Sequence, residues 1–147
     1  MLLAATVAVL LVVSACDETP GPQPLDRQPP RVVAMDYAPD SIRASDLPPE
    51  QVQDSVLQAP LAINARVRDP DGDLSAVLFT LEPAAAPQAT AVGTLRVQSG
   101  AEDLYAVRAA VSLPAVEERY TLRVYAVDTD SLFSNQAVGQ IRVLPSQ

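Results

Sequence analysis

The chain has 147 residues, a formal net charge of −8 and an apolar share of 48%. An acidic chain repels phosphate backbones, which excludes general nucleic-acid binding. With no His, Lys or Trp and a single cysteine, it lacks the usual general base near neutral pH, imidazole and thiolate metal sites, and any intramolecular disulfide.

Leu2 to Val13 is an apolar run without a charge, interrupted only by Thr6. It is too short to cross a bilayer as a helix, which takes about 20 residues, and has the length of a signal-peptide h-region. It ends in Val13-Ser14-Ala15-Cys16 and turns polar at once with Asp17-Glu18. This arrangement resembles a bacterial lipoprotein signal peptide, in which small residues precede a cysteine that is lipidated and becomes N-terminal on cleavage. The resemblance implies a signal peptide over 1–15, lipidation of Cys16, and a mature chain anchored to a membrane of the cell envelope, facing the periplasm or the exterior. Asp17 resembles the inner-membrane retention signal of enteric bacteria, a rule that does not transfer between phyla, so membrane and leaflet stay open. No basic residue precedes the run, so a start a few codons upstream is expected. The bland alternative is a buried apolar segment with an incidental cysteine.

After Cys16, residues 17–30 carry five prolines and little apolar content. Such a segment favours extended polyproline II and cannot form a core. Residues 16–30 therefore read as the lipidated cysteine and a Pro-rich stalk, with a reach of roughly 40 Å at about 3.1 Å per residue.

From residue 31 the pattern is short apolar alternation broken by turn residues. Arg31 to Tyr37 reads as a strand, with Asp40 to Ala44 as a short continuation; Pro49 to Val52 could open one helical turn. In Leu61 to Arg68, Leu61, Ile63, Ala65 and Val67 share one face while Asn64, Arg66 and Arg68 share the other, a period of two. Asp69-Pro70-Asp71-Gly72-Asp73 makes a turn in which Gly72 supplies positive φ. Leu74 to Leu81 follows with Val77, Phe79 and Leu81 inward. Glu82 to Gln88 is a Pro/Ala-rich loop. Ala91 to Gln98 and Leu104 to Leu113 are further strands. Tyr120 to Val127 places Tyr120, Leu122, Val124 and Ala126 on one side, Asp128 to Asn135 is a polar loop, and Ala137 to Leu144 closes the domain with Ile141 and Val143 inward. Tyr105 and Tyr120 are expected in the core, and Tyr125 outward beside Arg123.

About seven strands with regular turns and no long helix predict an all-β, antiparallel sandwich or barrel over 31–147, and seven strands over about 100 residues is the size of an immunoglobulin-like sandwich. Ala65 to Val77, with its alternation followed by Asp-Gly-Asp, and Tyr120 to Asn135 resemble the second-to-third strand junction and the penultimate strand of bacterial Ig-like domains of the cadherin-like, fibronectin-III and PKD kind. Ser131 stands where that pattern has glycine. The resemblance implies an Ig-like fold of about seven strands, and fold does not imply function.

In such a sandwich the loops holding Asp69, Asp71, Asp73, Asp128 and Asp130 emerge at one end. Two readings stay open there. Asp-Pro-Asp-Gly is good turn chemistry by itself, and a carboxylate-rich pole also suits Ca²⁺, which takes six to eight oxygens. Pro70 at the second position, the early Gly72 and the missing bidentate Glu exclude an EF-hand. No base is available to activate Ser131 or Ser134, and the adjacent Glu117 and Glu118 read as solvated surface rather than a glycosidase pair. The expected function is a non-catalytic, membrane-anchored module for interaction or structure in the cell envelope, with a protein or glycan partner. The alternative is Ca²⁺-dependent adhesion or carbohydrate binding through the aspartates.

Overall fold

The computed structural model describes residues 27–86, 88 and 91–144. The expected signal peptide (1–15), Cys16 and the expected stalk as far as residue 26 lie outside the described residues. Among the described residues no helix is long and apolar enough to cross a membrane.

The strands are β1 (Arg31–Ala38), β2 (Ser41–Arg43), β3 (Val52–Gln53), β4 (Val56–Arg68), β5 (Leu74–Pro83), β6 (Ala91–Gln98), β7 (Ala101–Pro114), β8 (Glu118–Asp128) and β9 (Ala137–Leu144), with single 3-10 turns at Ala44–Asp46 and Pro49–Gln51. The seven long strands lie where alternation predicts them. The two short ones, β2 and β3, come from the segments whose pattern is weakest. Several strands outrun their apolar stretch: β4 starts five residues before Leu61 and β7 three before Leu104. Pairing with a long neighbour extends a ladder past the residues that drive burial.

Neighbouring strands run β1-β4-β7-β6-β5-β8-β9-β2, with β3 beside the start of β4. Every pair is antiparallel except β2 on β9, which is parallel, so the expected purely antiparallel sheet is in fact mixed. The continuous order arises because β6 changes partner along its length. Ala91 to Leu95 pair with β5, and Arg96 to Gln98 pair with β7. The sheet thus curls on itself, and both halves contribute to one core.

That core follows the period of two. Leu57, Ala59, Leu61, Ile63, Ala65 and Val67 of β4 meet Val77, Phe79 and Leu81 of β5, Tyr120, Leu122, Val124 and Ala126 of β8, and Ile141 and Val143 of β9, all buried. Each large aliphatic side chain so buried contributes about 1.5–3 kcal/mol relative to exposure. Two glycines make room for rings. A Cβ on Gly93 would overlap Phe79, and one on Gly139 would overlap Tyr37. The Tyr37 hydroxyl, lying over Gly139, accepts from the Gln140 amide at 2.9 Å and donates to its carbonyl at 3.0 Å. This ties β1 to β9 across the two halves.

One end of the domain holds the 69–73 turn, the loop after β8 and the start of β1. The other end holds the β3–β4 turn, the start of β8 and the end of β9. Asp54 and Ser55 both have positive φ, the geometry of a two-residue hairpin turn.

Candidate functional site

The two loops rich in aspartate do meet. The Thr129 amide donates to the Asp73 carbonyl at 3.1 Å, and its hydroxyl donates to Asp73 Oδ2 at 3.1 Å. Gly72 has φ +71°, as the turn sequence requires. Asp128 is 4% exposed and ends β8. Its Oδ1 accepts from the Leu132 amide at 2.8 Å, and its carbonyl accepts from the Ser131 amide at 3.3 Å. Ser131 itself has φ +66°, a left-handed conformation that glycine adopts most readily.

The pole also receives residues 27–30, expected from sequence as the end of a stalk. Arg27 Nη1 lies 2.8 Å from Asp130 Oδ1, and the Gln28 amide donates to Asp71 Oδ2 at 2.7 Å. Pro30 is fully buried. Asn135 closes the same corner: its Oδ1 accepts from the Val32 amide at 3.1 Å and its Nδ2 donates to the Val32 carbonyl at 3.0 Å. Val32 borders a register irregularity in β1, and the amide side chain satisfies backbone groups there. Residues 27–30 are therefore seated on the domain.

The five aspartates thus have separate fates. Asp71 and Asp130 face Gln28 and Arg27, Asp128 holds its own turn, and Asp73 accepts from Thr129 through one oxygen. Both carboxylate oxygens of Asp69 and Oδ1 of Asp73 are buried without a hydrogen-bond partner among the described residues. Asp69 faces a groove of about 640 Å³ shared with Glu102, Asp103 and Tyr105. Burial raises the Tyr105 hydroxyl pKa above 10.0, with Asp69 and Asp103 adding to the shift. Among the described residues no three acidic side chains converge to hold a metal ion. Glu118 turns back to accept from the Arg119 amide at 2.9 Å.

A second region stands out on the outer face of β5, β8 and β9. Opposite the buried residues of β8, Arg119, Thr121, Arg123 and Tyr125 point outward. Tyr125 lies against Phe133, ring centroids 6.1 Å apart at 46°, and Phe133 is 62% exposed. Val138, 56% exposed, is the cross-strand partner of Arg123. Arg123 reaches Glu82 at 3.5 Å and donates to Gln136 at 3.1 Å. These side chains border a shallow groove of about 340 Å³. A larger groove of about 820 Å³ lies by the end of β1, lined mainly by small apolar side chains such as Ala38, Pro60, Ala62 and Ala110. It gathers no aromatic group.

Tyr120 is buried and Tyr125 half-buried on the outer face, as the alternation predicts, whereas Tyr105 is only half-buried. Phe133 and Val138 carry no sequence signal as site residues. The loop before β9 reads simply as polar, and only an isolated bridge between Val127 and Phe133 brings the ring to the sheet face. No protein-family model matches this chain, and no curated protein is significantly similar to it.

Proposed function

We propose that the chain is a non-catalytic Ig-like module, anchored to a membrane of the bacterial cell envelope through Cys16, that binds a partner with the outer face of β5, β8 and β9. The observation that carries this reading is the exposed Phe133 ring lying against the half-buried Tyr125, flanked by Val138 and Arg123. Clustered exposed apolar groups with a polar rim mark interaction surfaces, and aromatic and arginine side chains dominate binding energy where they occur. The Ig-like assignment is supported by the strand order, with β6 shared between the halves. The envelope address rests on the lipoprotein resemblance of residues 1–16.

The test places a photo-crosslinking amino acid at position 133 of the full chain in living cells, with position 112 on the outer face of β7 as the control. A defined adduct at 133 that is absent at 112, and lost on Tyr125→Ala, is expected. Equal labelling at both positions, or none at 133, 125 and 138, would discard the surface.

Ca²⁺-dependent adhesion or glycan binding through the aspartate pole is a second reading, favoured by the three unpartnered oxygens of Asp69 and Asp73. A buried charge without a partner is costly, and a cation would answer it, with further oxygens from backbone and water. It predicts a melting temperature that rises in millimolar Ca²⁺ but not Mg²⁺, and loses that response in Asp69→Asn/Asp73→Asn. An unchanged melting temperature leaves the pole to turn chemistry.

A further inference from the structure

We infer that the partner of the β5–β8–β9 face is an acidic polypeptide segment, gripped by Arg43, Arg119 and Arg142. The inference rests on the interaction reading above and specifies its partner.

The register supplies the first observation. Arg119 of β8 is directly opposite Arg142 of β9, and both are exposed. Like charges placed opposite one another across strands are destabilising. Arg43 joins them. In the parallel pairing of β2 with β9, Ile42 and Val143 are both buried partners, so Ser41 and Arg43 point outward, and Ser41 is opposite Arg142. Arg123 lies four residues further along β8 on the same face.

The second observation is the lack of an answer within the chain. Arg27, Arg66 and Arg123 each have a carboxylate partner; Arg43, Arg119 and Arg142, like Arg31, Arg68, Arg96 and Arg108 on other strands, form no ion pair among the described residues, and what sets the three apart is that they share one face with an apolar strip. This occurs in a chain of net charge −8, where carboxylates outnumber basic groups. Folding stability does not account for the grouping, since the opposed pair opposes folding. A guanidinium stays charged at any physiological pH and matches a carboxylate with two parallel hydrogen bonds.

The surroundings favour a polypeptide over a bare polyanion. Val138 precedes Arg142 by two outward positions along β9, and Tyr125 and Phe133 lie beyond Arg123. An acidic segment with interspersed apolar side chains would use both the guanidinium row and this apolar strip; a phosphate chain would use only the first. Placement also argues against the anchoring membrane. The stalk enters at the aspartate pole, and Arg119 sits at the other end of β8 from Asp128, about 30 Å away at strand spacing.

The test measures fluorescence anisotropy of a labelled decapeptide of alternating Glu and Leu against the full chain in detergent. The expected result is salt-sensitive binding that weakens about tenfold in Arg119→Gln/Arg142→Gln, corresponding to two exposed charge contacts. Arg43→Gln alone is expected to cost about threefold, and Arg108→Gln, on the outer face of β7, nothing. Thermal melts confirm folding, and Arg43→Gln keeps the test alive if the double variant does not fold. The inference is overturned if the peptide does not bind, if binding ignores these arginines, or if inorganic polyphosphate binds at least as tightly with the same dependence. It is equally overturned if the double variant abolishes self-association of the chain, which would make a second copy the occupant. Crosslinks at position 133 that persist while the peptide fails would discard the acidic partner alone; loss of both would discard the interaction surface as well.

Discussion

The aspartate pole answers most of its charge from within the chain, whereas the outer face of β8 and β9 pairs Arg123 with Glu82 but leaves Arg119 and Arg142 unanswered. At the pole, Arg27 meets Asp130, the Gln28 amide meets Asp71, Thr129 meets Asp73, and Asp128 accepts from its own turn. On the face, Arg119 and Arg142 oppose one another and Arg43 stands beside them without a counter-charge among the described residues. A conspicuous cluster of like residues can therefore be structural, while a dispersed set becomes a surface once register brings it together.

The comparison predicts that changes at the pole cost stability and changes on the face do not. Asp128→Ala should have the largest effect, about 2 kcal/mol in urea unfolding, because it strips the acceptor from the Leu132 amide in a part-buried turn. Asp128→Asn, which keeps an acceptor oxygen, should lose less. Asn135→Ala should cost about 1 kcal/mol by leaving the Val32 amide and carbonyl without their partner; no loss would detach that corner from the pole's scaffold.

Tyr105 adds a pH signature to the same end. Its burial, with Asp69 and Asp103 nearby, raises its pKa above 10.0, so the folded chain holds this proton more tightly than the unfolded one. Its contribution is intact below about pH 10 and is lost as pH rises through the folded value. Tyr105→Phe should flatten the alkaline decline in melting temperature; an unchanged decline would assign it to other groups, including Tyr120, whose pKa burial and Glu118 also raise.

Arg27→Ala should cost less than about 1 kcal/mol, since its pair with Asp130 is partly exposed, and the loss should shrink in high salt. The smallest effect has the opposite sign. Arg119→Gln relieves the pairing with Arg142 and should stabilise the fold by a few tenths of a kcal/mol. A measurable loss instead would show that the guanidinium does structural work and would narrow the contrast between the two regions.

Much of the fold was legible because burial on a sheet imposes a period of two. Leu61 to Val67, Val77 to Leu81 and Tyr120 to Ala126 each announce a strand and its inner face, and all are buried as read. Gly72 announced its turn for an equally local reason, its freedom to adopt positive φ. The meeting of the two aspartate loops was legible through the resemblance to Ig-like domains. What each carboxylate does there was not, because its partners come from residues far away in sequence, Gln28 for Asp71 and Arg27 for Asp130. Residues 27–30, read as the end of a stalk by their prolines, prove seated on the domain, since composition does not reveal where a chain end docks.

Local sequence sets the charge, the absence of His and Lys, the strands and which side of each is apolar, all properties of neighbouring residues. Long-range pairing sets that β2 runs parallel to β9, that β6 joins the two halves, that Phe133 lies tilted against Tyr125, and that Arg43, Arg119 and Arg142 share one face. The reason is that strand register is set by long-range backbone pairing, and alternation specifies which way a side chain points without specifying which residue stands beside it.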